Sequence, residues 1–476
     1  MSSSYLALRA RECWMAQRLV KEISQRGQHA SRQDILRYQL DSLRQFIHHA
    51  KSHSPWYAQR LQHINPNTMQ LSDLSSIPPM TKQDVMANWD QIVTDRSLRL
   101  QQANEFITGL THASQPSYFQ DRYRVHATGG SSGTRGVFPW SVEAVAEFAA
   151  VFGRFQYFHD QRAFATSSHQ LPITLAVVAS DHPIHLSSPL FTIPLRPFDR
   201  VFSPPATLHV EELIATLNQH QPTHISGFTT SVQRIAEQAE RGRLNFVPKH
   251  VTVHSEPLSP ELRRLFRRVW PAHSTKLINM WGSTDCGPHA QGCGESDDLH
   301  LNEDAVIVEA LDHEGRPSLP GQLSHSLYLT NLINPLLPLI RYALDDRIML
   351  SPHSCPCGSS LQLIHDVAGR IDDDFQFRDV LIDTHHYNTI MYIHPSIQEY
   401  QIFQTLNGVR IIFSGDPSKP SASPLATVIA QVKEMMHNHG VPNADVQAEV
   451  GRVQRHPQTG KLRRFVPLTR PATKPS

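Results

Sequence analysis

A glycine-rich segment between two apolar stretches is the part of the sequence with the clearest chemistry. It reads HATGGSSGTRGVFPWS over residues 126–141 and contains four glycines. Such a loop can bring several backbone N–H groups against a phosphate, while Ser131, Ser132 and Thr134 add hydroxyl donors. The Gly-Lys-Ser/Thr of a Walker A loop is absent. The segment therefore predicts a phosphate-binding loop of another kind, with a flexible surface linker as the alternative.

Four residues with metal-binding side chains form a second chemical pattern. Cys293 and His300 are spaced as C-x6-H, and Cys355 and Cys357 are spaced as C-x-C in the segment SCPCGSS. Three thiolates and one imidazole complete a tetrahedral zinc shell with no open position. The pattern therefore predicts a structural zinc ion, with four unligated, reduced side chains as the alternative.

Predicted strands and helices alternate along the chain from about Leu171 to Leu332 and form the framework of the protein. Short apolar runs such as LPITLAVVAS and HVTVHSE are interleaved with segments of helical periodicity such as VEELIATLNQHQ. One of these helices is expected to start with Ser259 as its N-cap and Pro260 at its first position. The pattern predicts α/β units around a largely parallel sheet, preceded by about 95 helical residues.

Length and charge narrow the class of protein. A chain of 476 residues is too long for one compact core, so at least two domains are expected. Its 44 Lys and Arg residues against 43 Asp and Glu residues favour neither nucleic acid nor an anionic membrane as a partner. The N-terminus lacks the apolar stretch of a signal peptide, and the cysteine count is odd. These features predict a cytoplasmic protein with reduced thiols.

The sequence resembles the adenylate-forming superfamily, in its phenylacetate–coenzyme A ligase branch, at seven landmarks in the family's order. They span about residues 36–466 and read SPWYAQRL with SIPPMTKQDV, HATGGSSGTRG, HSEPLSP, NMWGSTD, PLIRYALDD, GRIDD and TGKLRR. The resemblance implies an α/β fold whose large N-terminal domain, residues 1–368, combines mixed and parallel sheets with flanking helices. A hinge at 369–372 and a small mobile α+β domain at 373–476 would follow.

The resemblance also implies roles for individual residues. Lys461 would bridge the substrate carboxylate and the α-phosphate, Thr284 would contact that phosphate, and Asp285 would bind Mg²⁺. Asp372 would be the hinge residue. The remaining implied residues bind ATP: Ser131, Ser132, Gly133, Thr134, Arg135, Gly136, Ser255, Glu256, Pro257, Trp281, Gly282, Ser283, Asp346 and Arg370.

The activity implied by the resemblance is ATP- and Mg²⁺-dependent activation of a carboxylic acid as its acyl-adenylate. The family suggests an aromatic or arylacetic acid, with transfer of the acyl group to the thiol of coenzyme A. The expected cofactors are therefore ATP, Mg²⁺ and structural Zn²⁺, with coenzyme A as co-substrate. An acyl-carrier protein and a second copy of the chain are further candidate partners.

Four positions depart from the family's pattern. Arg135 replaces a threonine, Asp285 stands where glutamate is usual, Asp345 adds an acidic neighbour to Asp346, and Asp379 replaces a glycine after the hinge. By resemblance the segment of Asp379 meets the incoming thiol, and a negative charge there disfavours a thiolate. Two alternatives follow: an adenylation enzyme that delivers the acyl group to a carrier protein or an amine, and a non-catalytic nucleotide-binding homologue.

Overall fold

The structure is a computed structural model of the chain. It describes residues 3–110, 117–128, 136–165, 172–180, 183–365, 367, 375–378, 380–382, 384–392, 397, 399–414, 425–455 and 462–468.

Helices form the N-terminal part, as the sequence predicts. Ser31 caps the second helix by accepting the N–H of Asp34, whose carboxylate in turn accepts the N–H of Ser31. The helices are α1 (Ser3–His29), α2 (Arg32–His53), α3 (Pro55–Arg60), α4 (Lys82–Ala87), α5 (Trp89–Ile92) and α6 (Leu100–Thr108), with a 3₁₀ turn at Leu71–Ser76.

A buried ion pair fixes the first helix to the strand that precedes the glycine-rich loop. The guanidinium of Arg124 donates to both carboxylate oxygens of Glu12 at 3.1 and 3.0 Å. A third hydrogen bond from Arg124 reaches the hydroxyl of Tyr118 at 2.7 Å. Because Glu12 is fully buried, its charge requires cationic partners, and Arg9 provides a second one at 2.6 Å from its Oε2.

The middle of the chain alternates between strands and helices. The strands are β1 (Tyr123–Ala127), β2 (Val137–Ser141), β3 (Thr174–Val178), β4 (Arg200–Phe202), β5 (His224–Phe228), β6 (His250–His254), β7 (Lys276–Ser283), β8 (Gly287–Gly292), β9 (Leu299–Leu301), β10 (Val306–Leu311), β11 (Ser326–Asn331), β12 (Tyr342–Leu344) and β13 (Leu363–Ile364). The helices are α7 (Val142–Ala165), α8 (Ser187–Phe191), α9 (Val210–His220), α10 (Thr229–Glu240) and α11 (Pro260–Val269).

An eight-stranded sheet organises this region, in the order β13-β9-β8-β7-β6-β5-β3-β4. The strands from β4 to β7 run parallel, and β8, β9 and β13 extend the sheet antiparallel. Ser259 caps α11 by accepting the N–H of Leu262, and Pro260 is its first residue. The predicted α/β fold, with mixed and parallel sheets and flanking helices, is confirmed.

A separate four-stranded sheet lies near the C-terminus, in the order β18-β17-β16-β19. A hairpin and two helices share its core, and the elements are β14 (Phe375–Phe377), β15 (Val380–Ile382), α12 (Thr384–Tyr392), β16 (Tyr400–Thr405), β17 (Gly408–Ser414), α13 (Leu425–Asn438), β18 (Asp445–Gly451) and β19 (Phe465–Val466). The predicted hinge at 369–372, with Asp372, lies outside the described residues and stays a prediction.

Across the part of the chain that the structure describes, no helix combines the length and apolar character that a membrane crossing requires.

Candidate active site

The base of the glycine-rich loop is closed by two residues. The N–H of Thr128 donates to the carbonyl of Gly136 at 3.0 Å, and the N–H of Gly136 donates to the Thr128 hydroxyl at 3.2 Å. A Cβ at Gly136 would lie 2.4 Å from the ring of Phe138, so only glycine fits without rearrangement. The loop thus joins the hairpin strands β1 and β2. The predicted phosphate-binding residues 131–135 lie outside the described residues.

The NMWGSTD segment forms the end of β7 and the turn into β8. The Trp281 ring is mostly buried and meets the His289 ring edge-on, with centroids 4.6 Å apart. The Ser283 hydroxyl accepts the N–H of Cys286 at 3.0 Å and lies 3.1 Å from Nε2 of His289. The ladder shifts register between Trp281 and Gly282, which leaves Gly282 exposed at the strand end.

The turn that carries Thr284 is held by a core tryptophan. Nε1 of Trp140 donates to the Thr284 carbonyl at 3.1 Å. Trp140 and Phe138 are both fully buried in the main core, and Phe228 is buried in a second one. These aromatic side chains therefore pack the core, and Trp140 acts on the turn through one hydrogen bond.

Asp285, the predicted Mg²⁺ ligand, is buried and hydrogen-bonded. The hydroxyl of Tyr342 donates to its Oδ2 at 2.9 Å. Burial alone would raise the pKa of Asp285, but the charge of Lys82 and hydrogen bonds from Ser283 and Tyr342 outweigh burial and hold the pKa below its ordinary value. A carboxylate kept charged in this way is suited to bind a hard divalent cation.

Lys82 reaches this site because an N-terminal segment docks on β12. The N–H of Met80 donates to the carbonyl of Arg341 at 3.0 Å, and the N–H of Ala343 donates to the carbonyl of Met80 at 2.8 Å. Lys82 and Tyr342 are functional candidates that sequence reasoning missed, although both lie inside segments that resemble the family. No local signal singles them out, since their importance comes from this pairing.

The HSEPLSP segment follows β6 and makes a sharp turn. Ser255 has a positive φ of 67°, a conformation that is costly for a residue with a Cβ. Glu256 is half-buried and its carboxylate divides between two N–H groups: Oε2 accepts from Thr230 at 2.8 Å, and Oε1 accepts from Leu462 at 3.1 Å. Pro257 is exposed beside it. Glu256 therefore contacts the C-terminal part of the chain.

The other predicted nucleotide and catalytic residues are only partly visible. Asp346 is buried just after β12, at 7 % exposure. Arg370 and Lys461 lie outside the described residues, so their predicted roles stay predictions. Leu462, the residue after Lys461, is described and provides the contact with Glu256.

A small cavity lies on one face of the central sheet. Its volume is about 50 Å³, and Phe152, Phe191 and Met280 contribute to its wall. The Phe152 ring also approaches Gly282, where a Cβ would lie 2.7 Å from it. The cavity thus lies next to the predicted nucleotide motif, since Met280 directly precedes Trp281.

The four predicted zinc ligands come together although 62 residues separate the first and third. Sγ of Cys293 lies 3.5 Å from Sγ of Cys355, and Sγ of Cys357 lies 3.4 Å from Nε2 of His300. All four ligand atoms lie within 4.8 Å of one another. Backbone N–H groups of Glu295 and Ser359 point at two of the sulfurs. This donor set and spacing fit a tetrahedral zinc ion.

A second buried cluster comprises Asp160, His224 and His250. The Nε2 atoms of His224 and His250 lie 3.4 and 3.6 Å from Oδ1 of Asp160, and Arg196 approaches the other carboxylate oxygen. The two imidazole rings stack with centroids 4.5 Å apart and planes 11° from parallel. A metal bond lies near the plane of an imidazole, so stacked rings cannot both coordinate one ion. The carboxylate of Asp160 is therefore shared by two histidines on the neighbouring strands β5 and β6.

Comparison with known proteins agrees with this geometry. Residues 174–311 match the family model described as AMP-binding enzyme. The protein CapK of Staphylococcus aureus is 20 % identical over 382 residues, which cover 78 % of this chain and 76 % of CapK. The phenylacetate–coenzyme A ligase of Thermus thermophilus is 22 % identical over 196 residues, 40 % of this chain and 44 % of that ligase.

Among solved structures, 2-hydroxyisobutyryl-CoA ligase has the same fold at 17 % identity. In its postadenylation state it superposes with a TM-score of 0.69, covering 93 % of this chain and 91 % of that chain. In its thioesterification state the TM-score is 0.56 with the same coverage. Together with the AMP-binding match over residues 174–311, these similarities support the resemblance to the adenylate-forming superfamily and to its phenylacetate–coenzyme A ligase branch.

Proposed function

We propose that this protein is an adenylate-forming ligase that activates a carboxylic acid with ATP. An oxygen of the acid attacks the α-phosphorus, the bond to the β-phosphate oxygen breaks, and pyrophosphate leaves. A thiol then attacks the acyl carbon and AMP leaves. The observation that carries the proposal is the buried carboxylate of Asp285, which accepts the Tyr342 hydroxyl at the end of the NMWGSTD strand and lies in the field of the Lys82 charge.

The residues at this site suit a reaction between two anions. Such a reaction needs cations and oriented donors to offset the repulsion between carboxylate and phosphate. Asp285 would hold Mg²⁺, which shields the phosphate charge when it is bound. The loop over 131–135 would donate to the outer phosphates, and Lys461 would neutralise the reacting carboxylate and α-phosphate. Trp281 would pack beside adenine, and Asp346 would accept hydrogen bonds from the ribose.

The acyl group would enter the cavity beside Phe152, Phe191 and Met280. Its volume of about 50 Å³ is small for an aromatic ring, since a protein cavity known to bind benzene measures about 150 Å³. An aromatic or arylacetic acid, which the family suggests, would therefore require side chains such as Phe191 to move. A small aliphatic acid is the alternative that this volume favours.

Coenzyme A is the proposed acceptor, because the resemblance is to coenzyme A ligases. A carrier-protein thiol or an amine is the second candidate, and Asp379 is the feature that favours it. Asp379 lies outside the described residues. In this proposal the C-terminal domain, 373–476, turns about Asp372 after adenylation and brings the segment of Asp379 to the acyl-adenylate.

The cysteine and histidine cluster is proposed to hold a structural zinc ion. Its ligands follow β8, lie in β9 and precede β13, so a bound ion would tie the antiparallel edge of the sheet together. All four positions are taken by protein ligands, which leaves no site for water or substrate on the metal.

Carboxylate-dependent ATP–pyrophosphate exchange tests the proposed function. A panel of aryl, arylacetic, small aliphatic, fatty and amino acids is compared between wild type, Lys461→Ala and the exposed control Lys433→Ala. We expect exchange with one class of acid, loss of at least a hundredfold in Lys461→Ala, and wild-type rates in the control. If no acid supports exchange while ATP still binds, the non-catalytic alternative is correct.

A further inference from the structure

We propose that Glu256 is a positioning residue that holds the segment of Lys461 at the nucleotide site during adenylation. The inference rests on the proposed function and adds one residue to it. By sequence alone, Glu256 belongs to a motif assigned to the adenine side of the site. Its contact with Leu462, which spans 206 positions of sequence, connects that motif to the C-terminal part of the chain.

The carboxylate of Glu256 is fixed from the side of the central sheet. Its Oε2 accepts the N–H of Thr230 at 2.8 Å in the first turn of α10, and its backbone carbonyl accepts the Thr229 hydroxyl at 2.9 Å. A carboxylate at a helix N-terminus is stabilised by the helix dipole. The second oxygen, Oε1, is thereby directed at the N–H of Leu462.

The N–H of Leu462 is also fixed in position, by contacts within the C-terminal part of the chain. Leu462 forms an antiparallel bridge with Arg455. Nε2 of Gln401 donates to the carbonyls of Gln454 and Arg463, and Oε1 of Gln401 accepts the N–H of Gln454. Gln401 thus ties together the two segments that flank residues 456–461. The contact with Glu256 therefore holds Leu462, the residue that directly follows Lys461.

A second group of charges lies at the same boundary. Arg455 pairs with Glu399 in the C-terminal part. Burial, and then the charge of Arg455, lowers the pKa of Arg234 on α10. Arg234 of α10 therefore lies near the Arg455–Glu399 pair, and Glu256 makes its hydrogen bonds at the N-terminal end of the same helix.

One hydrogen bond at such a boundary can break when the C-terminal part moves. The 2-hydroxyisobutyryl-CoA ligase superposes on this chain better in its postadenylation state than in its thioesterification state, with TM-scores of 0.69 and 0.56. The Glu256–Leu462 contact is thus a feature of the arrangement that resembles the first of these states. In our proposal it assists adenylation and is absent during transfer to the thiol.

Glu256→Gln isolates this contact because an amide offers one acceptor oxygen and the carboxylate offers two. The variant can satisfy only one of the Thr230 and Leu462 N–H groups, and its NH₂ group faces the other. Loss of a hydrogen bond to a charged group lowers the rate of the assisted step about tenfold. We expect ATP–pyrophosphate exchange to fall by that factor. Thioester formation from a supplied acyl-adenylate and coenzyme A should fall by a smaller factor.

The matched control is Glu240→Gln, which changes the same functional group at the exposed C-terminal end of α10, where Glu240 pairs with Arg268. It should leave both half-reactions unchanged. Hydrogen exchange of the peptide covering 455–468, measured without ligands, should be faster in Glu256→Gln than in wild type and in Glu240→Gln.

Each result bears on the inference. A selective loss of exchange activity together with faster hydrogen exchange supports it. Equal losses in both half-reactions would instead reveal a general folding role, and unchanged hydrogen exchange would show that the contact does not hold the segment; either overturns the inference. If the wild-type protein activates no acid, the proposed function is wrong, and so is the role of Glu256 that depends on it. If wild type and Glu256→Gln show the same rate of ATP–pyrophosphate exchange, the inference about Glu256 is wrong and the proposed function stands.

Discussion

The hydroxyl of Tyr342 donates to Oδ2 of Asp285 over 2.9 Å, between residues 57 positions apart. Tyr342 begins β12, and Asp285 lies in the turn between β7 and β8. The contact therefore joins two sheets at the proposed Mg²⁺ site. Burial, and then the charge of Asp285, raises the pKa of Tyr342, so that the phenol remains a donor at every physiological pH.

Tyr342→Phe should weaken adenylation through this carboxylate. Without the donor the pKa of Asp285 rises, so the acidic limb of the pH–rate profile for exchange moves to higher pH. The Mg²⁺ concentration for half-maximal exchange should rise about fivefold, the cost of one hydrogen bond. Tyr328→Phe removes a hydroxyl from the neighbouring strand β11 and is the control. Identical Mg²⁺ and pH profiles in wild type and Tyr342→Phe would exclude this role.

The cysteine and histidine cluster predicts about one zinc ion per chain, measurable by elemental analysis of protein grown with zinc. Cys355→Ala removes a thiolate from the shell, so the metal should be lost and the melting temperature should fall by roughly 5 °C or more. Cys13→Ala changes a half-buried cysteine outside the cluster and should keep both values. Wild-type protein that contains no zinc after such growth would refute the metal site.

Asp379 predicts slow transfer to coenzyme A. Asp379→Gly removes the bulk and charge, and Asp379→Asn removes the charge alone. We expect both to accelerate thioester formation, with the glycine variant gaining about tenfold, because one unit of thiol pKa changes the thiolate fraction tenfold. Adenylation should not change. If wild type already forms the thioester as fast as it forms the adenylate, Asp379 does not restrict the acceptor.

The buried His126 is expected to make the folded state less stable at acidic pH. Burial, and then the charge of Arg124, lowers the pKa of His126 to about 3. An unfolded histidine titrates near 6.5, so between these values the unfolded chain binds the extra proton. The stabilising contribution of neutral His126 is present above about pH 6.5 and is lost by about 1.4 kcal/mol for each pH unit below it.

The measurement is the melting temperature between pH 7.5 and 5 for wild type, His126→Gln and the exposed control His353→Gln. The decrease on acidification should be smaller in His126→Gln, because its side chain binds no proton in either state. The control should follow wild type. Parallel curves for all three proteins would mean that His126 is not kept neutral by the fold.

Local patterns in the sequence determined the class of fold, and the family resemblance supplied the candidate residues of the site. The alternation of strands and helices, the N-cap at Ser259 with Pro260 after it, and the helical N-terminal part are all confirmed. Each depends on neighbouring residues, through periodicity or capping, so it can be read without knowledge of distant contacts. The spacing of four potential zinc ligands was also visible, and the structure brings them together.

Tertiary structure alone decided which distant residues meet. The pairing of Met80 with β12 brings Lys82 towards Asp285, and Tyr342 supplies the hydrogen bond. The contact between the carboxylate of Glu256 and the N–H of Leu462 likewise joins residues that are distant in sequence. Strand register and the packing of separate sheets fix such contacts, and neither leaves a periodic trace in the sequence around the residues involved.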